Sequence, residues 1–302
     1  MKVHFNLVRA VVGFIIGDIV AIPYDRKKRG TFKCTDMRAS RLQDAHFILP
    51  LGSWGPVTSL MLCSLDAVTQ DSLVKMHRRW ERNVRSFSWF GKYTNHGCRW
   101  FFGAFKNTKQ LGNLLSLKWN RSSMEQISTN NSSLIYMLPI AFIPFSDDME
   151  ALEYIHLLNG HGHNNILSHA CCLMYVFLVK NLLAGLRFED ALKKAIQMIP
   201  DPYKRPELGR IWSLEILRLP ETYIQSSSYI VHALEAAIWC CARGGGFRKT
   251  ILQAVNLGGA TTVISAITGS LAGIMYKEIP TDWIAKIRRL SFIQSICDRV
   301  RF

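Results

Sequence analysis

Apolar positions recur at helical spacing along most of the chain. Leu7, Ala10, Val11, Phe14, Ile15, Ile19 and Ile22 fall three or four residues apart, the period of a helix buried along one face. That predicts a helix over 6–22. Pro23 predicts its end, because proline has no N–H to continue the hydrogen-bond ladder. Leu60, Met61, Leu62, Leu65, Ala67 and Val68 predict a second helix over 58–69. The same spacing predicts helices over 165–184, 188–199, 209–217, 229–242, 247–255, 261–276 and 281–293. Gly244-Gly245-Gly246 closes the 229–242 helix, since glycine suits a left-handed C-cap. Residues 30–50 read as a loop and 107–129 as a helix with loops. No period-two alternation is long enough for a sheet. The pattern therefore describes an all-α protein, one domain over 1–302 with no linker and no internal repeat.

One stretch stands apart. No charge occurs between Lys249 and Lys277, and small residues recur: Gly258, Gly259, Ala260, Ser265, Ala266, Gly269, Ala272 and Gly273. This reads as a glycine turn feeding a helix whose packing face admits another backbone at close range. The run is long enough to cross a bilayer. It also carries Gln253, Asn256, Thr261, Thr262, Thr268 and Ser270, so a buried core helix is expected and no membrane is. The N-terminal run is interrupted by Arg9 and Asp18 and has no small-residue cleavage pattern, which argues against a signal peptide.

Composition narrows the class. With 49% apolar and 20% charged residues, the chain can bury a large core, and a long disordered segment is not expected. Its eight cysteines include the neighbours Cys171-Cys172 and Cys240-Cys241 but no C-x-x-C. Inside apolar helices they act as small hydrophobes, which points to a reduced, cytoplasmic setting. The net charge of +15 draws attention to three basic clusters. These are Arg26-Lys27-Lys28-Arg29; Arg78-Arg79 with Arg82 and Arg85; and Lys286, Arg288, Arg289, Arg299 and Arg301. Such clusters suit phosphates or an acidic protein, or simply form a solvated face. No zinc-finger spacing or aromatic-basic RNA-binding pattern accompanies them, so nucleic acid is not the expected partner. His161, His163 and His169 lack a cysteine or acid at metal-like spacing, and no metal site is expected there. The aromatic segment 72–106 reads as core rather than as a base-stacking platform.

Several motifs follow one another in order. Gly13-x-x-x-Gly17-Asp18 leads to Pro23 and Asp25. Gly52-x-Trp54 precedes Thr58. Asn131, Ser133, Leu134 and Pro139 form a loop signature, followed by His161. Tyr229-Ile230-Val231 opens a helix with Ala236-Ala237 and Trp239, and Asn256-Leu257-Gly258-Gly259 comes last. Together these resemble the ADP-ribosylglycohydrolase family, the DraG-like fold. The resemblance implies a compact orthogonal helical domain that hydrolyses the glycosidic bond between ADP-ribose and a protein side chain. It also implies two divalent ions, Mg²⁺ or Mn²⁺. Their ligands come from a Thr-Asp-Asp segment after Gly-x-Trp and from two aspartates just after the glycine pair.

At those ligand positions this chain has Gly55, Pro56 and Val57, then Ala260 and Thr262. Thr58, Thr261 and Thr262 offer only neutral hydroxyls, poor ligands for Mg²⁺ without carboxylates beside them. In the phosphate-cradling loop Asn130 and Ser132 replace two glycines, and Tyr136 replaces an arginine. Asn130 is expected to keep the turn by adopting a left-handed conformation. The resulting expectation is a catalytically inactive relative that binds, with no cofactor. Its partner is ADP-ribose or a related nucleotide, or a protein such as an ADP-ribosyltransferase or another acidic protein. Candidate ligand-binding residues are Asp18, Asn131, Ser133, His161, Gly258 and Gly259. The alternative is an active hydrolase with a relocated acid. Asp18, Asp25, Asp147, Asp148 and His161 are the available groups, and Asp25 is the expected catalytic residue.

Overall fold

Two apolar helices, far apart in sequence, form the axis of the molecule. The structure is a computed structural model; it describes residues 2–41, 48–69, 75–76, 78–79, 129–145, 147–159, 165–276 and 278–300. Helix α1 (Lys2–Ala21) gives way at Pro23 to a 3-10 turn, Ile22–Tyr24. Helix α2 (Pro56–Ala67) begins at a proline, whose missing N–H costs nothing in a first turn. Two 3-10 segments follow, Asn131–Tyr136 and Leu138–Phe142. Next come α3 (Asp148–Asn159), α4 (Ile166–Leu183), α5 (Phe188–Met198) and the single turn α6 (Gly209–Trp212). The chain closes with α7 (Ile230–Arg243), α8 (Phe247–Asn256), α9 (Thr261–Met275), α10 (Thr281–Ile284) and α11 (Leu290–Cys297).

The all-α expectation holds. The only strand pairing among the described residues joins Ser40–Arg41 to Ile48–Leu49, antiparallel, at the edges of the 30–50 loop. Two predicted helices are broken. The helix expected over 209–217 stops after Trp212, and the one over 281–293 stops after Ile284. Leu214 (φ 61°) and Arg289 (φ 57°) adopt the left-handed conformation, which cannot continue a right-handed helix. Helix α3 escaped the periodicity reading altogether.

The small residues of α9 meet those of α1. A Cβ at Gly13 would lie 2.1 Å from the Gly269 carbonyl oxygen, and one at Gly17 would lie 2.0 Å from that of Ser265. A Cβ at Gly273 would lie 2.3 Å from the Arg9 carbonyl oxygen. The two backbones touch directly, as the small-residue stripe predicts. Helix α4 is buried on almost every side and is tied to α9 by Tyr175 and Ser270, whose hydroxyls are 2.6 Å apart. Val3–Tyr24 and Ile166–Leu183 are long and apolar enough to span a membrane, yet 72% and 83% of their apolar windows lie inside the protein. The seven described cysteines are all buried. The aromatic residues of 80–106 and His161 lie outside the described residues.

Candidate functional site

The end of α1 and the turn after it present two aspartates to the N-termini of α2 and α9. Asp18, buried near the end of α1, accepts hydrogen bonds at Oδ2 from the Gly55 N–H (2.8 Å) and the Thr58 N–H (3.1 Å). It therefore caps α2 from another helix, satisfying donors that a helix start leaves open. Gly55 fits this contact because a Cβ there would stand 3.2 Å from Asp18 Oδ1. Burial raises the Asp18 pKa to about 6; the Thr58 hydroxyl and the two N–H donors oppose the rise, and the charge of Asp25 adds to it.

Asp25 does the same for α9. Its Oδ1 accepts from the Thr262 hydroxyl (3.1 Å) and the Thr262 N–H (3.3 Å), with the Thr261 hydroxyl at 3.4 Å. Its side chain is one-third exposed, 33%, so one edge of the carboxylate faces outward. Arg26, the next residue, is held in the left-handed region (φ 62°), and its N–H donates to the Gly259 carbonyl at 2.8 Å. That strained link fixes the direction of Asp25.

Gly258 and Gly259 (φ 72° and 68°) stitch the site together. The Gly259 N–H donates to the Lys27 carbonyl and the Ala260 N–H to the Ser226 carbonyl, both at 2.8 Å. A Cβ on Gly259 would stand 2.1 Å from the Ser226 oxygen. The Gly258 N–H donates to the Val255 carbonyl. Both glycine amides are thus spent on the fold, and the turn presents its surroundings rather than its own donors. Arg29 pins the same turn, donating to the carbonyls of Leu257, Glu221 and Ile224.

Asn131 and Ser133 are buried in the 3-10 segment beside this turn. The Asn131 N–H donates to the Ser228 carbonyl at 2.8 Å, which ties the loop to the segment that enters α7. The left-handed conformation expected of Asn130 is not adopted. Its backbone is extended (φ −73°, ψ 147°), and its side chain accepts from the Ser132 N–H. Asn130 holds the turn as an N-cap instead, a role for which its side chain is well suited. Tyr136 packs into the core, and burial pushes its pKa up. Among the described residues, Asn131 Nδ2 is buried and has no hydrogen-bond partner.

The structure sorts the basic clusters and exposes groups that no motif announced. Arg79 and Arg299 clamp the buried Asp66 carboxylate at 2.5 and 2.9 Å, so both serve the fold. Asp147 lies on the exposed surface, where it accepts the Glu150 N–H at the start of α3. Glu235, buried on α7, has a pKa raised to about 7 by burial, with Arg210 at 3.8 Å opposing the rise. A single acid on an otherwise apolar helical stretch is the signal that could have found it. The His156 and His169 rings meet between α3 and α4 with centroids 4.2 Å apart and planes tilted by 53°, and neither ring nitrogen of His169 has a partner among the described residues.

The family's two metal ions do not fit this donor set. Pro56, Val57 and Ala260 have no side-chain oxygen, and Thr262 offers only the hydroxyl already given to Asp25. Asp18 is buried as a cap. Among the described residues no group of three or more His, Cys, Asp or Glu gathers in a way that could hold a metal ion.

The family profile for ADP-ribosylglycohydrolase matches residues 4–301. The chain is 24% identical to "ADP-ribosylarginine hydrolase Tri1" of Pseudomonas putida (strain GB-1), over 96% of this chain and 76% of that protein. It is 27% identical to "ADP-ribosyl-[dinitrogen reductase] glycohydrolase" of Rhodospirillum rubrum, over 52% of this chain and 50% of that one. A solved structure, "ADP-ribosylglycohydrolase-related protein complex", superposes with a TM-score of 0.74 at 20% identity, covering 99% of this chain and 98% of its own. With capped helix starts, glycine turn and loop all in the order of the motifs, the chain belongs to the ADP-ribosylglycohydrolase family.

Proposed function

We propose that this protein is a catalytically inactive, metal-independent member of the family that binds an ADP-ribose-like ligand, free or attached to a protein. The observation that carries this reading is the state of the two helix starts. Where the family presents metal-binding carboxylates, this chain has Pro56, Val57, Ala260 and Thr262. The two aspartates that remain nearby serve as helix caps. The scaffold around them is intact, and the buried Asn131 Nδ2 stays unpaired beside it. Relatives named for ADP-ribosylarginine motivate the ligand class.

Isothermal titration with ADP-ribose, with and without Mg²⁺, tests the reading. Binding of equal strength in both conditions supports it. Release of ADP-ribose from a modified protein in Mg²⁺, stopped by EDTA, would sink it. The second reading is an active hydrolase that uses Asp25, whose carboxylate keeps one outward edge. Undiminished turnover by an Asp25→Ala variant would remove that role.

A further inference from the structure

The loop that carries Asp25 continues into an exposed basic lip. Arg26, Lys27, Lys28, Lys33 and Arg38 are all exposed, and tertiary structure gathers them. Lys27 and Arg38 stand over the same Tyr24 ring, at 5.6 and 4.3 Å from its centroid, although eleven residues separate them in sequence. Tyr24 in turn stacks on Phe32 at 4.7 Å. Phe32 and Cys34 turn inward, which throws Lys33 outward between them. The lip is held rigidly, because Lys27 accepts the Gly259 N–H and Arg29 is bound to three carbonyls.

We infer that this lip binds the phosphate backbone of a nucleic-acid strand. Two features favour that partner over an acidic protein. First, the exposed positions of 26–39 are cations, small residues, threonines and Asp36, with no exposed aromatic or large aliphatic side chain. Protein interfaces centre on such apolar anchors, whereas phosphate backbones are met by charge alone. Second, the nearby acids are already partnered: Asp36 accepts from Trp283 and Arg248, and Asp25 caps α9 with its Oδ2 3.8 Å from Arg26, so among the described residues these acids form an ion pair with only Arg26 of the lip's cations. The sequence alone did not point to nucleic acid, because the lip is assembled by the fold. It goes beyond the proposed ligand pocket and does not depend on it.

Anisotropy with a labelled single strand of about 20 nucleotides tests the inference. Between about 50 and 200 mM salt, affinity falls steeply for the wild type, and the log–log slope drops by about 0.7 for each cation removed. Lys27→Glu/Lys28→Glu/Arg38→Glu weakens binding at least about tenfold. Lys33→Glu, on a side chain that points outward, gives a smaller loss in a chain whose packing is untouched. Unchanged affinity in both variants, or a salt-independent wild type, overturns the inference. So does tighter binding of poly-glutamate at matched charge, which would assign the lip to acidic proteins. ADP-ribose titration of the same variants separates lip from pocket, because loss of oligonucleotide binding alone leaves the pocket reading standing.

Discussion

The Thr262 hydroxyl donates to Asp25 Oδ1 at 3.1 Å, joining the first turn of α9 to the loop that follows α1. The pair forms a helix cap. Asp25→Ala is therefore expected to lower stability by about 1 kcal/mol, the usual worth of a capping side chain. Asp25→Asn should recover most of it. Chemical denaturation of both variants measures this, and an Asp25→Ala chain as stable as the wild type would show that the bond is idle.

The missing carboxylates make a gain-of-function experiment decisive. Placing aspartate at Pro56, Val57, Ala260 and Thr262 together should create Mg²⁺ binding, read as a melting temperature that rises with Mg²⁺ concentration. The wild type should show no rise. A wild-type shift of equal size would mean that the present donors already hold the ion.

Asp18 ties stability to pH. Its folded pKa of about 6 lies above the ordinary 3.8, so the folded state holds a proton that the unfolded state releases. The associated stability is present below pH 3.8 and lost as pH rises through 6. Asp18→Asn keeps an accepting oxygen without the charge. It should stabilise the protein by on the order of 2–3 kcal/mol at pH 8 and by little at pH 4. Denaturation midpoints at the two pH values decide the matter, and a gain that does not change with pH would contradict it.

The two adjacent histidines act in the opposite sense. Burial lowers His156 to about 4 and His169 to about 3, with the neighbouring His156 charge adding to the second. Both stay neutral when folded but protonate when unfolded. Their contribution is complete above pH 6.5 and is lost as pH falls towards 4, by about 2 kcal/mol each at pH 5. A His169→Gln variant should lose less stability than the wild type between pH 7 and pH 5. Parallel pH profiles for the two proteins would refute this.

The α1–α9 contact leaves no room for side chains. Gly269→Val would put its Cβ 2.1 Å from the Gly13 carbonyl oxygen and should cost at least about 3 kcal/mol. Gly209 offers the control, since a Cβ there meets nothing within 4 Å and its backbone is right-handed helical. Gly209→Ala should stabilise by about 0.5–1 kcal/mol. Equal effects at the two positions would contradict the close backbone approach.

Much of this molecule follows from local chemistry. The period of Leu7 to Ile22 specified α1, Pro23 ended it, and the stripe from Ser265 to Gly273 announced a backbone contact, because helical spacing and glycine geometry act over a few residues. The motif order specified the family. Periodicity did not foresee the breaks at Leu214 and Arg289, since left-handed backbone in ordinary residues is imposed by packing. Tertiary structure alone decided what the surviving aspartates do. Asp18 and Asp25 look like terminal polar residues of one helix, yet they bond to the starts of two others, at Gly55 and Thr261, 37 and 236 residues away. It also brought Lys27 beside Arg38 and His156 against His169. A sequence states which charges and donors exist; whether each is paired, buried or exposed depends on distances that only the folded chain creates.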